Sequence, residues 1–448
     1  MKSELQDRHV VVVGAGLAGL AAARELRDRG ARVTVLERAD RPGGRATSDV
    51  RDDCTFDSGA HGVSAADTAL EGLVRAAGLE NRLLPLKPFL AAQLYEGAPR
   101  PIDTSHLLGV ARLGGVSWRE AQRLVRLGRL HARFGDLLSR DAPEQGVRLD
   151  DRSVADFVRL YFGQTVLDRW AAPLVEAWGH GDVEQTSRVQ LLRFHALRDA
   201  TWQGTLRGGL GELAQSLSEQ CEVQLGVAVE SLEARTGGGW TVRPSSPAEP
   251  IEADAVIVAT RADVALRLAG GQLAPAECDV LAATTYSPSI VLHAVLDEPL
   301  VDAATRVRIP AAEALPLLAI AHEPGSPGGR VAEGVSAVSL VATPAWSAAH
   351  LETADEVIEK ELLTVLDRPH PGASARVEHT DLRRHRQALP LFPVGRYREL
   401  ATLRRVAADR RASGRRIYLA GDYLADPTLD GAVRSGRRAA AELAADLR

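Results

Sequence analysis

The feature that most constrains this chain is a glycine turn held between a strand and a helix. His9 to Val13 is a short β-branched run suited to a buried parallel strand. Gly14-Ala15-Gly16-Leu17-Ala18-Gly19 follows, and helical spacing then runs to Arg29 and stops at Gly30, a natural C-terminal cap. Arg32 to Glu37 reads as a second strand. The pieces fit within about thirty residues, the size of a βαβ unit. In such a unit Gly14 permits the tight turn, Gly16 lets a pyrophosphate approach the backbone, and Gly19 lets the helix pack closely on the strand. The helix N-terminus, with Ala15, Leu17 and Ala18 beside the glycines, offers N–H groups and its dipole to phosphate. Glu37, about twenty residues on at the tip of the second strand, is placed to accept hydrogen bonds from a ribose diol. The expectation is an α/β fold with a Rossmann-type core holding a dinucleotide.

Later motifs say which dinucleotide. Glu37 is followed by Arg38 and by Arg41-Pro42-Gly43-Gly44-Arg45. Here the sequence resembles the flavin-containing amine oxidase superfamily, most closely its protoporphyrinogen oxidase and phytoene desaturase branches. The resemblance implies FAD, with Gly44 and Arg45 near its diphosphate and flavin. Glycine's backbone freedom and the fit of guanidinium to phosphate oxygens agree with that; a solvated loop arginine is the alternative for Arg45. Phe56-Asp57-Ser58-Gly59-Ala60-His61 resembles the family segment beside the isoalloxazine ring, so Gly59, Ala60 and His61 are expected flavin contacts. His61 is the candidate catalytic residue, polarising or deprotonating substrate. Its other reading is a histidine that only hydrogen-bonds cofactor or backbone. Arg207 to Leu213 resembles the return to the FAD domain, ahead of a strand pair in which Val229 would contact adenine. Near the C-terminus, Ile417 to Asp422 and Leu429 to Gly436 resemble the family's last FAD motif. There Gly421 would end a strand and Asp422 would bond the ribityl chain. Asp430 would cap the final helix, and the amides of Gly431, Ala432 and Val433 would face the flavin pyrimidine edge. No cysteine lies near this motif, so the FAD is expected to be noncovalent.

The substrate side is read from looser similarities. Trp178 to Asp182 and Ala388 to Gly395 resemble the protoporphyrinogen oxidase branch, which makes His180 and Phe392 candidate substrate contacts, with ordinary packing as the alternative. Amine oxidases commonly carry a lysine near flavin N5; the corresponding stretch, Tyr286 to Leu296, has none. No second strand–GxGxxG–helix unit is present, so no NAD(P)H site is expected, and oxygen or a quinone is the expected electron acceptor. The implied activity is an FAD-dependent oxidase or desaturase taking a hydride from a bulky, largely apolar molecule. The alternatives are a flavin amine oxidase, a non-redox flavin-dependent isomerase, and a lipid-binding carrier of the GDP-dissociation-inhibitor type.

Length and composition set the frame. The 448 residues suffice for two domains. Residues 1–64, 205–265 and 396–448 are expected to form a discontinuous FAD domain. Residues 65–204 and 266–395 would be an inserted α+β substrate domain, the first of them mostly helical. A net charge of −5 gives no drive toward nucleic acid. The three cysteines are far apart and match no metal or disulfide spacing, and the histidines show no metal motif, so no metal and a cytoplasmic setting are expected. Arg123, Arg126, Arg129 and Arg133 lie on a helix whose Leu124 and Leu127 fall on another face. That helix could rest on an anionic membrane surface, or its apolar face could be core and its arginines merely solvated.

Overall fold

The computed structural model describes residues 5–59, 62–64, 66–85, 91–102, 109–110, 113, 115–197, 203–245, 249–300, 304–325 and 329–447. Its first sheet has five parallel strands in the order Glu222–Gln224, Arg32–Leu36, His9–Val13, Ala255–Val258, Ile417–Leu419. The strands come from three distant stretches of chain, and the valines Val10, Val11 and Val12 are fully buried at its centre. Helix Leu17–Asp28 leaves the first strand through the glycine turn and lies against the last helix, Leu429–Asp446. That crossing is very close: a Cβ on Gly436 would sit 2.0 Å from the Ala18 carbonyl oxygen.

A second sheet of seven strands orders as Val377–Pro390, Tyr286–Leu296, Ser336–Ala342, Leu317–His322, Arg306–Arg308, Ala91–Tyr95, Ala98–Ile102. Its two faces differ because successive side chains in a strand point to opposite sides. Ile290, Leu292, Leu340, Ile320 and Val307 join one apolar cluster with Ile358 and Leu362 of helix Asp355–Leu366. On the other face, cross-strand partners form two rows, Arg383–Val291–Val341–Ala319–Arg308 and Asp381–His293–Ser339–Ala321–Arg306. This polar face meets the 45–59 segment: Phe56 stacks on His293 with ring centroids 4.7 Å apart, and Arg383 pairs with Asp49 at 3.0 Å.

Ser117 and Glu120 form the capping box of helix Trp118–Phe134, and Ser153 caps Val154–Tyr161. In the first of these helices Ala121, Leu124 and Leu127 are fully buried, while Arg123, Arg126, Arg129 and Arg133 are exposed. Its apolar face is therefore core, which is the plainer of its two readings. Among the described residues no helix is long and apolar enough to cross a membrane. The stretch read as mostly helical is so, with the short strands Leu83–Pro85, Ala91–Tyr95 and Ala98–Ile102 among its helices. One expectation needs correction. The final helix is capped by Thr428, which accepts from the Gly431 amide at 2.9 Å, and not by Asp430. Asp430, fully buried, instead accepts from the amides of Ala69 and Leu70 at 2.9 Å each and pairs with Arg140 and Arg434.

The close helix crossing gives a stability prediction. Gly436→Ala should overpack it and cost about 1–3 kcal/mol. Gly135→Ala, at a helical position with open space around its Cβ, should be neutral or slightly stabilising. Thermal unfolding of the two variants checks this, and equal melting temperatures would count against the packing described.

Candidate functional site

The glycine turn is built against the protein on two sides and open on a third. Gly14 has φ +104°, and a Cβ there would lie 2.8 Å from the Ala259 carbonyl oxygen; one on Gly19 would lie 1.9 Å from the Gly14 oxygen. Gly16 differs. Its nearest would-be neighbour is the Gly43 oxygen at 4.0 Å, so it faces open space at the helix N-terminus. Gly43 donates to the Ala15 oxygen at 2.8 Å, and a Cβ on Gly44 would be 3.5 Å from the Gly16 α-carbon. Backbone from two segments thus walls a cradle in front of the helix amides of Leu17, Ala18 and Gly19, which have no intrahelical acceptors. This fits a pyrophosphate.

Glu37 ends the second strand as expected, yet it already has work within the chain. Its carboxylate accepts from the amides of Ala15 at 2.8 Å and Ala39 at 2.9 Å, tying the strand tip to the glycine turn. Its oxygens keep lone pairs for a ribose. Val227 donates to the Glu37 carbonyl, which brings the approach to Val229 alongside the same edge. Arg38 is exposed there.

Arg45 crosses to the far end of the chain. It pairs with Asp422 at 2.8 Å and donates to the Ala388 carbonyl at 2.6 Å. Asp422 is buried just after Gly421, whose amide donates to Ser435 Oγ at 3.0 Å. Two tyrosines that the motifs did not point to stand here. Burial and the Asp422 carboxylate hold the phenols of Tyr286 and Tyr423 above their usual range, so both stay protonated, and the Tyr423 hydroxyl is buried without a partner. At the last helix the amides of Gly431 and Ala432 bond to Thr428, and Val433 is core. The donors without intrahelical acceptors are therefore those of Leu429 and Asp430, slightly earlier than the motif suggested.

Gly59 lies against His385, with 3.6 Å from its would-be Cβ to Nε2, and that nitrogen bonds the Ser58 carbonyl at 2.6 Å. The bond places the proton on Nε2. Burial holds the His385 pKa below its usual value. His180 ends helix Ala172–Gly179 in a left-handed conformation, φ 51°. Burial, then the charges of Arg306 and His385, push its pKa down to about 4, and its buried Nδ1 has no partner. His180 is therefore neutral at neutral pH. Phe392 is 3% exposed and packs against Tyr397 in the core, in keeping with the packing alternative. Ala60 and His61 lie outside the described residues. A cleft is lined by Ser64, Trp178, Thr205, Arg306, Ala321 and Glu323.

This arrangement defines a dinucleotide-binding fold with a substrate sheet facing the cofactor segment. The chain belongs to the family of flavin containing amine oxidoreductases, whose model matches residues 17–444. FAD is the cofactor of that family, and its members are FAD-dependent oxidoreductases. The chain is 26% identical to polyamine oxidase 4 of Oryza sativa subsp. japonica, over 56% of this chain and 50% of that protein. It is 28% identical to protoporphyrinogen oxidase 2 of Arabidopsis thaliana, over 41% of this chain and 35% of that protein. The matches thus span half or less of these relatives. In structure it is similar to a putative protoporphyrinogen oxidase from Exiguobacterium sp. 255-15, with TM-score 0.76 and 19% identity over 98% of this chain and 99% of that one.

The cradle separates two kinds of glycine. Gly16→Val should leave the melting temperature of the apoprotein close to wild type but lower FAD occupancy. Glu37→Ala should weaken FAD binding roughly ten- to a hundred-fold, since hydrogen bonds to a charged group are worth about 1.5–3 kcal/mol. The flavin-to-protein absorbance ratio reads both, and full occupancy in both variants would show the cofactor to be elsewhere.

Proposed function

We propose that this chain is an oxidase or desaturase that removes a hydride from a bulky, largely apolar substrate, in the manner of the protoporphyrinogen oxidase and phytoene desaturase branches. The observation that carries the reading is the inward face of strand Tyr286–Leu296. Ser287, Ser289, Val291 and His293 occupy it, and no ammonium group stands where an amine oxidase commonly has one. Bound FAD would supply the hydride acceptor at N5 and pass the electron pair to oxygen or a quinone. The backbone cradle at Gly16, Gly43 and Gly44 would hold the diphosphate, and the Arg45–Asp422 pair would orient the ribityl and flavin end. The amides of Leu429 and Asp430, with the helix dipole behind them, would stabilise negative charge at the pyrimidine edge. His385 donates through Nε2, so its Nδ1 is the ring's acceptor, and with His61 it is a candidate for taking up the substrate proton. The two units of the chain would be those of the expected boundaries, 1–64, 205–265 and 396–448 for FAD and the rest for substrate.

A second reading, flavin amine oxidase, draws support from the polyamine oxidase relative. Anaerobic stopped-flow mixing distinguishes the readings. NADPH and simple amines should leave the flavin oxidised over seconds, whereas an unsaturated or cyclic apolar substrate should bleach it. Rapid bleaching by a simple amine would promote the second reading, and rapid bleaching by NADPH would overturn both.

A further inference from the structure

We propose that Arg306 and Arg308 anchor an oxyanion head group, carboxylate or phosphate, at one end of a trough whose other end is the flavin-side segment Ser58–Gly59 with His385. The inference rests on the oxidase or desaturase reading only in taking that segment as the reacting end. In the strand Arg306–Arg308, Val307 points into the apolar cluster, so alternation sends both arginines to the opposite, polar face. Arg308 is only 9% exposed, and its buried Nε has no partner. Among the described residues neither guanidinium has a hydrogen bond or an ion pair closed on it. Two cations side by side in a buried place are costly unless something anionic meets them. Burial and the neighbouring Arg306 charge bring the Arg308 pKa down to about 10, still charged at neutral pH.

The carboxylate that acts on Arg306, that of Glu323, offsets part of its charge but closes no ion pair on it. Glu323 lies two residues beyond Ala321 and is engaged by Arg330 at 3.0 Å, with Asp57 on the other side of that arginine at 3.0 Å. Over Arg308's own end, Gln93 of the adjoining strand donates to the Arg169 carbonyl at 2.8 Å, which brings the segment Leu167–Ala171 across as a roof.

The floor between the two ends is made for a chain. From the arginine strand toward His385 the inward residues are Ala321 and Ala319, then Ser339 and Val341, then His293 and Val291. Ala321, Ala319 and Ser339 are small, and Arg306 and Ala321 line the open cleft. Three strand spacings separate the arginine strand from Tyr286–Leu296, roughly 14 Å. Neutral His180, whose pKa both Arg306 and His385 lower, has a buried Nδ1 without a partner. A ligand that fills it has an extended apolar body and a terminal oxyanion, which two guanidinium forks can grip bidentately.

Binding to the FAD-loaded protein tests this without turnover. Dodecanoate, dodecyl phosphate and dodecanol would be titrated calorimetrically into wild type, Arg306→Gln, Arg308→Gln and Arg308→Lys, with flavin content measured for each. At least one anion should bind wild type tenfold or more tighter than dodecanol, and the tighter anion identifies the head group. Its Kd should rise tenfold or more in each Gln variant and by less in Arg308→Lys, at unchanged flavin content and dodecanol affinity. Anions that bind wild type no better than dodecanol, or that bind the Gln variants as well as wild type, would overturn the proposal. Anion binding through the arginines in a protein whose flavin no unsaturated or cyclic apolar substrate reduces would keep this site and remove the oxidase or desaturase reading.

Discussion

Close backbone contact at the glycine turn is the constraint on which the rest of the structure depends. No side chain fits at Gly14 or Gly19, because each would meet a carbonyl oxygen at 2.8 Å or less. The contact seats the N-terminus of helix Leu17–Asp28 at the carboxyl edge of the parallel sheet, where ligands of open α/β sheets bind. Gly436 extends the same economy to the last helix by letting it touch Ala18. Because both helices are docked there, their N-termini point toward one region, and Arg45 can reach Asp422 across 377 residues of sequence. The cofactor site is thus a product of helix packing before it is a set of side chains.

The seven-stranded sheet supplies the other half of the site by being unequal on its two faces. One face is sealed by Ile358 and Leu362, which fixes register, since a one-residue slip would turn that apolar set toward the cleft. With register fixed, the row positions of the polar face are fixed too. His385 is held against Ser58 toward one edge of the sheet, and Arg306 and Arg308 stand three strands beyond Tyr286–Leu296. Specificity in such a design is a matter of which residue occupies a row position, and the strand Tyr286–Leu296 offers serine and histidine where a lysine would suit amine chemistry.

The strand, glycine turn and helix at the N-terminus were legible in the sequence. Gly14 and Gly19 announce themselves because close approach tolerates few residue types. Asp430 misled because a carboxylate at a helix start reads as a cap, whereas Thr428 fills that role and Asp430 caps a different helix through Ala69 and Leu70. The substrate side was harder to read. Strand Val377–Pro390 carries Arg383, Arg384, His385 and Arg386 in succession, and its burial is only partial along most of its length. An edge strand with one face on a polar cleft shows no apolar alternation. Arg306-Val307-Arg308 is too short to register as a strand at all, so its two arginines look like ordinary surface residues until the sheet is assembled. Phe392 shows the converse: an aromatic in a family-like segment that proves to be core.

The charges that survive burial also bear on substrate choice. Burial holds His180 at about 4 and His293 at about 3, and it lowers His385 as well, so all three are neutral at neutral pH. Arg45 and Arg383 are matched by Asp422, Asp49 and Asp381. Glu323, raised to about 7 by burial, is tied to Arg330. Among the described residues, the cations on this face without an ion pair are Arg306, whose charge Glu323 partly offsets, and Arg308. In a low-dielectric cleft such a pair projects its field over the whole floor. A cationic amine would have to enter against that field, while a neutral chain would be indifferent to it and an anionic one drawn inward. The missing lysine and the unpaired arginines are separate observations, and both lean away from an amine and toward an apolar molecule with an acidic end.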